Sequence, residues 1–151
     1  MAHFAEIDSN NEVVRVIVVD DNDVANNGGD ASAEAAAFVG TIAKLASINN
    51  SWVQFSADGS FRQRPAGIGG TYDSTKNVFI DKKPYSSWSL NDSNVWVAPV
   101  TYSNTEYNGR PVHQIKWDEV NQKWLALDLD VDNDTATNLE WDTGTSAWVV
   151  A

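Results

Sequence analysis

The chain of 151 residues contains no cysteine. Disulfide staples, thiolate nucleophiles and Cys-ligated zinc are excluded, while the redox compartment stays open. Cations are scarce: ten Lys and Arg face 21 Asp and Glu, for a net charge of −11. A non-specific nucleic-acid binder needs a basic face, and so does a protein docking on anionic lipid. Neither nucleic acid nor membrane is therefore expected as a partner. The ordinary reading of such a charge is self-repulsion that keeps the chain dispersed. A minority reading is acidic loops that take up divalent cations. Apolar runs are short, as at Val16–Val19, far below the roughly 20 residues that span a bilayer. The opening MAHFAEIDSNNEVV lacks the basic and apolar regions of a signal peptide, so a protein assembled in the cytoplasm is expected.

Aromatic side chains are abundant, with seven Trp, and hydrophobic residues make up 42% of the chain, enough for a core. Val, Trp, Tyr, Thr and Asn together suit short strands and turns. The expected fold class is α+β, mostly β: an N-terminal antiparallel hairpin and one helix, then a string of short aromatic hairpins. Two parts are expected, an α+β core part over 1–70 and a hairpin-rich part over 71–151. The second part would pack with the first as one unit, or on partner subunits.

Phe4 to Asp20 reads as a hairpin, FAEID and EVVRVIVVD around Ser9-Asn10-Asn11. The second strand is apolar on both faces, which predicts a strand covered on both sides and makes it the candidate core strand. The segment 20–30 reads as a polar loop. ASAEAAAFVGTIAKLASI is the one convincing helix, with Asp30 as N-cap, Asn49-Asn50 as its end and a core-facing stripe of Ala35, Phe38, Val39, Ile42 and Leu45. WVQFS, an Asp58-Gly59 turn and FRQRP follow. The glycines of AGIGG (66–70) lack the Lys-Ser/Thr of a phosphate loop and read as a turn or a close backbone approach.

Three segments then share one layout: TYDSTKNVF, WDEVNQKW and WDTGTSAW. In each an aromatic is followed by Asp, four turn residues, one further residue and a second aromatic. A four-residue loop would pair Tyr72 with Phe79, Trp117 with Trp124 and Trp141 with Trp148 across two strands. LNDSNVW (90–96) is one residue shorter, and DKKPYSSW and VAPVTYSN read as extended connectors.

His3 and His113 are the only histidines, and neither sits at a spacing that suggests metal or Ser-His-Asp chemistry. Glu119 and Glu140 lie near aromatics, so a glycosidase pair is conceivable, but acidic residues beside Trp are also what short hairpins require. Asp128, Asp130, Asp132 and Asp134 resemble the start of a Ca²⁺ loop. The match lacks the glycine at position six, and Leu139 stands where Glu is needed. A charged solvent edge is the competing reading. Trp88, Trp96, Trp117, Trp124, Trp141 and Trp148 are candidates either for a partner interface or for stacking glycans. No catalytic residue is assigned.

The opening MAHFAEID…VVRVIVVD, the motifs AGIG-x-TYD and KPY-x-SW-x-LN, and the WDE-x₄-W hairpin resemble small proteins of marine tailed bacteriophages, notably those of cyanobacteria. The resemblance covers nearly the whole length. It implies a virion structural component, with partners among the major capsid protein or tail subunits, present in many copies or as a homo-oligomer on the particle. The expected role is non-enzymatic, a decoration protein on the capsid. A tail- or fibre-associated role, or a glycan-binding host-recognition module, is the alternative. The closing LDLDVDNDTATNLEWDTGTSAWVVA departs from that pattern by adding a second WD hairpin.

Overall fold

The computed structural model describes residues 1–42 and 50–151. It is mostly β, with an N-terminal antiparallel hairpin, two helices and several short hairpins rich in aromatics. The chain divides into two compact units, Met1–Lys83 and Pro84–Ala151.

In the first unit β1 (Ala2–Ile7) and β2 (Val13–Val19) form the N-terminal hairpin. Helices α1 (Asp21–Asn26) and α2 (Ala33–Ile42) follow, then β3 (Ser51–Phe55) and the hairpin of β4 (Thr71–Asp73) and β5 (Val78–Ile80). The sheet order is β2-β1-β3. The core strand is thus β1, not β2. β2 gives Ile17 and Val19 to one core and Val13 and Val16 to the other, yet it lies at the sheet's edge and Val14 and Val18 stay exposed. On one face Phe4, Val19 and Trp52 pack with Val24 of α1 and Ala35 and Val39 of α2. On the other, Ala5, Ile7, Val13 and Phe55 pack with Phe79 of β5.

That second cluster places the unit boundary after Lys83 rather than after residue 70. The TYDSTKNVF hairpin supplies Phe79 and Tyr72 to the first core. The glycines before it make the approach possible. Gly69 donates to the Val13 carbonyl and the Gly70 carbonyl accepts from the Val13 N–H, at 2.8 Å each. A Cβ on Gly70 would lie 2.6 Å from the Ile80 carbonyl oxygen.

The stretch 20–30 is not simply a loop. Asp20 caps α1 by accepting from the Asn22 N–H, and Val24 anchors the short helix in the core. Asp30 does not cap α2. Ser32 does, its Oγ accepting from the Ala35 N–H at 3.0 Å, while Asp30 accepts from the Gln54 side chain. Of the expected stripe, Ala35 and Val39 are buried and Phe38 half-buried, whereas Ile42 is exposed. Leu45 and Asn49 lie outside the described residues. FRQRP forms no strand, for Arg62 and Gln63 both have positive φ and leave the extended region.

One ion pair is buried in this unit. Glu6 on β1 stands opposite Arg15 on β2 and Trp52 on β3. Arg15 Nε donates to Glu6 at 2.6 Å, Asn50 donates at 2.8 Å, and the guanidinium stacks over the Trp52 ring. The central strand accepts a carboxylate because both of its oxygens find donors.

The second unit starts with two minimal pairs: β6 (Ser89–Leu90) with β7 (Trp96–Val97), then β8 (Glu106–Tyr107) with β9 (Arg110–Pro111). A four-stranded antiparallel meander completes it, made of β10 (His113–Asp118), β11 (Lys123–Asp130), β12 (Thr135–Asp142) and β13 (Ala147–Val150). One face of the meander carries the core: Ala126, Leu139, Trp141 and Trp148 pack with Val112 and, from the connector, Val100 and Tyr102.

Two cores imply two sets of core mutants. Phe4, fully buried in the first unit, should cost about 3–5 kcal/mol when changed to Ala. Urea unfolding checks this, and a loss below about 1 kcal/mol would contradict the placement of Phe4.

Candidate functional site

Hairpins organise the second unit, and the two WD loops are built the same way. In WDEVNQKW, Asp118 Oδ1 accepts from the N–H groups of Val120 and Asn121 at 3.0 and 3.2 Å. Gln122 then takes φ +49° and closes the loop. Trp117 faces Trp124 and Asp118 faces Lys123, as the spacing predicts. The rings meet edge to face, 5.3 Å apart at 66°, the arrangement that aromatic quadrupoles favour. Trp141 and Trp148 repeat it at 5.4 Å and 74°. In the first unit Tyr72 faces Phe79.

The six Trp candidates separate into two groups. Trp117, Trp141 and Trp148 are buried, so none is a sugar platform. Trp88, Trp96 and Trp124 are half-buried. They come together with Tyr102, Val97, Ala98, Val100 and Thr101 around an open groove of about 250 Å³. Trp88 packs against Trp117 and Trp124 at 6.4 and 5.9 Å, and Tyr102 against Trp124 at 5.0 Å. The connector read as VAPVTYSN holds the groove's floor in place. The indole N–H of Trp124 donates to the Val100 carbonyl at 2.7 Å and that of Trp148 to the Asn104 carbonyl at 2.8 Å. This groove is the candidate functional site.

Glu119 fixes the groove's other wall. It accepts from Ser86 Oγ, from the Ser87 N–H and Oγ, and from the Trp117 indole at 2.5, 2.9, 2.6 and 2.8 Å. It thereby ties the segment before Trp88 to the WDEVNQKW hairpin. Those donors, the Ser86 hydroxyl first, hold its carboxyl down at about 2. A group that acidic is a poor proton donor at neutral pH. Glu140 is paired with Lys123. The two carboxylates are taken up by structural hydrogen bonds and an ion pair.

The acidic segment 128–134 differs from both expectations. Asp128 and Asp130 lie past the last β10 pairing, at His113 and Leu127, yet they do not form a free solvent edge because Arg110 pairs with both. Asp128 is buried, and Arg110 grips it with Nε at 3.2 Å and Nη2 at 2.6 Å while Nη1 reaches Asp130 at 2.9 Å. The hydrogen bond to Asp128 is the first cause of an upward shift at Arg110. Asp132 and Asp134 sit in the exposed loop between β11 and β12, and Asp130 starts that loop by accepting from the Asn133 N–H. Among the described residues no three His, Cys, Asp or Glu side chains gather as a metal site.

Two features escaped the sequence reading. The β11–β12 loop, Asp130-VDND-Thr135, is a fourth copy of the four-residue loop, with Asp134 at φ +47°. It has no aromatic flanks, so the pattern used to find the others passed it by. Asn108-Gly109 turns β8 into β9 with φ +50° and +75°. Asn-Gly between two strands is a strong short-range hairpin signal and was readable.

Fold and groove define a mostly-β protein of aromatic hairpins with an open aromatic cleft. No family model matches the chain, and no curated protein or solved structure matches it. Among the described residues no helix is long and apolar enough to cross a membrane.

The Glu119 clamp sets a pH dependence. Its carboxyl sits at about 2 in the folded protein against an ordinary 4.5. Its stabilisation is therefore complete above the ordinary value and is lost as pH falls from there toward 2. Urea midpoints measured across that window should fall less in Glu119→Gln than in the parent protein. Equal falls in both would remove the clamp from the account. For Arg110, Ala substitution strands a buried carboxylate, so the double variant Arg110→Ala/Asp128→Ala should be less destabilised than the two single losses added together. Additive losses would mean that the pair is not coupled.

Proposed function

We propose that this chain is a non-enzymatic structural protein of a tailed-phage virion, an accessory subunit that decorates the head and binds capsid subunits. The resemblance of AGIG-x-TYD, KPY-x-SW-x-LN and WDE-x₄-W to marine phage proteins supports the virion setting. The observation that carries a binding role is the second face of the β10–β13 meander. Leu125, Leu127 and Leu129 alternate onto that face, opposite Trp124, Ala126 and Asp128. None of the three belongs to the core cluster. Leu129 is exposed, and Val131 beyond it is 87% exposed. A row of leucines on a sheet face outside the core is a surface that gains free energy by meeting a neighbour. Many weak copies on a lattice then give firm net attachment.

The carboxylates that sequence offered for chemistry support the same reading, since Glu119, Glu140, Asp128 and Asp130 are each spent on a structural bond. Attachment to the tail or a fibre would use the same surfaces and differs in number, with hundreds of copies on a head against dozens or fewer on a tail.

Mixing the purified protein with undecorated particles and sedimenting them tests this directly. The parent chain should co-sediment and Leu127→Asp should not, with an unchanged far-UV spectrum. A parent protein that stays in the supernatant at saturating concentrations would end the structural reading.

A further inference from the structure

We propose that Asn108-Gly109 is a self-modifying turn: Asn108 loses its side-chain amide without an enzyme, and the grip of Arg110 on Asp128 loosens as a result. The chain holds two Asn-Gly pairs, at 27–28 and 108–109. In such a pair the glycine nitrogen can close a five-membered ring on the asparagine side chain, because no Cβ shields it. The structure separates the two. Asn27 is engaged, its Nδ2 donating to the Asp23 carbonyl at 2.7 Å and its own carbonyl accepting from Ser32 Oγ. A Cβ on Gly28 would lie 2.9 Å from Ser32 and Glu34 atoms. Asn108 and Gly109 are exposed at the tip of the β8–β9 hairpin. Among the described residues neither the Asn108 amide nor the Gly109 N–H has a hydrogen-bond partner, and a Cβ on Gly109 would meet open space. No side-chain bond has to break before the turn rotates into the attacking geometry, and exposed loop tips are where such change is tolerated.

Solvent base takes the Gly109 N–H proton. The nitrogen then bonds to Asn108 Cγ, and the side-chain nitrogen takes up a proton and leaves as ammonia. Water opens the succinimide. Cleavage at the ring's side-chain carbonyl leaves aspartate, and cleavage at its backbone carbonyl leaves isoaspartate, whose main chain is one atom longer. One water is consumed, one ammonia is released and nothing is oxidised. A two-residue loop has no slack for the extra atom, since loop length and turn type fix the register. The residues on either side of the turn bear the consequence. Tyr107 packs against the second core, and Arg110 holds the buried Asp128 together with Asp130. A displaced Arg110 leaves the Asp128 carboxylate buried without its cation, a costly state. Either product also adds negative charge to a chain already at −11.

The test ages the full chain at mildly alkaline pH, which favours the ring closure, with a mildly acidic sample as reference. Peptide mapping with fragmentation that distinguishes isoaspartate follows each asparagine. Asn108 should convert several-fold faster than Asn27, give isoaspartate among its products and lag in the acidic sample. The isoaspartate form, separated by anion exchange, should unfold at a lower urea concentration than the fresh chain. In Arg110→Ala/Asp128→Ala the same ageing should lower the midpoint less, because the pair it acts through is already gone. Asn108→Gln closes the ring poorly and should keep its midpoint through the same treatment. Should either variant fail to fold, the fresh and aged fractions of the parent chain still decide. An Asn108 that stays intact, or converts no faster than Asn27, overturns the proposal. So does an isoaspartate form that unfolds at the same urea concentration as the fresh chain, or an equal drop in the parent and the double variant.

Discussion

One carboxylate holding backbone N–H groups at the mouth of a loop is the interaction on which the rest of this structure depends. Asp73, Asp118 and Asp142 each accept from the N–H groups two and three residues on. Asn91 with its amide oxygen, and Asp8 in the N-terminal hairpin, accept instead from the N–H groups two and four residues on. Each loop then closes on a left-handed residue: Asn77, Gln122, Ser146, Asn94 or Asn11. Strand register follows from the loop, and in a sheet with a side-chain period of two a slip by one residue would turn every ring to the opposite face. The Trp pairs are in contact because the Asp before the loop leaves no other register open.

That dependence explains what could be read in advance. A loop of fixed length flanked by aromatics is a local pattern, so Trp117–Trp124, Trp141–Trp148 and Tyr72–Phe79 were legible as cross-strand pairs. So was the short Leu90–Trp96 pair. The order of strands was not. Nothing in VVRVIVV says whether a strand covered on both faces is central or at an edge, because coverage is a property of the faces and pairing a property of the edges. AHFAEI looks less like a core strand because of Glu6. It is central all the same, since Arg15 and Asn50, distant in sequence, converge on that carboxylate. Asp128 hid in the same way, because its partner Arg110 lies 18 residues upstream and an acidic run looks like a solvated edge until that pairing is known. For the candidate site, the Trp residues were legible as a set. Which of them stay accessible was not, because that depends on where the irregular connector 98–105 crosses the sheet.

The acidic excess also changes meaning once the bonds are placed. With 21 acidic residues, metal loops and catalytic pairs were reasonable suspicions. Many of these carboxylates instead satisfy local donors or tie distant segments together, and hydrogen bonds hold four of them more acidic than usual, led by the Ser60 N–H at Asp58, the Asn121 side chain at Asp118, the Asn133 side chain at Asp130 and the Ser86 hydroxyl at Glu119. In a chain without disulfides they hold turns that would otherwise be marginal, since an isolated hairpin is barely stable in water. They also remain charged at neutral pH, so the same groups that fasten the turns keep the surface repulsive toward other copies, save where apolar surface such as the leucine row is presented.

The indole nitrogens finally distinguish scaffold from surface. A buried Trp that finishes a fold normally finds an acceptor for its N–H. Trp117, Trp124 and Trp148 do so through Glu119, the Val100 carbonyl and the Asn104 carbonyl. Trp52 and Trp88 do not. Trp52 packs in the first core against α2 and is stacked on by Arg15, where the guanidinium contact and the apolar burial of a large ring offset an unmet donor. Trp88 has no such cation. It packs against Tyr85, Trp117 and Trp124 beside an open groove, on a segment that Glu119 fastens through Ser86 and Ser87. Three hydrogen bonds from Ser86 and Ser87 to Glu119, which also accepts from the Trp117 indole, thus fasten the Trp88 segment to the WDEVNQKW hairpin while the Trp88 N–H itself stays unmet.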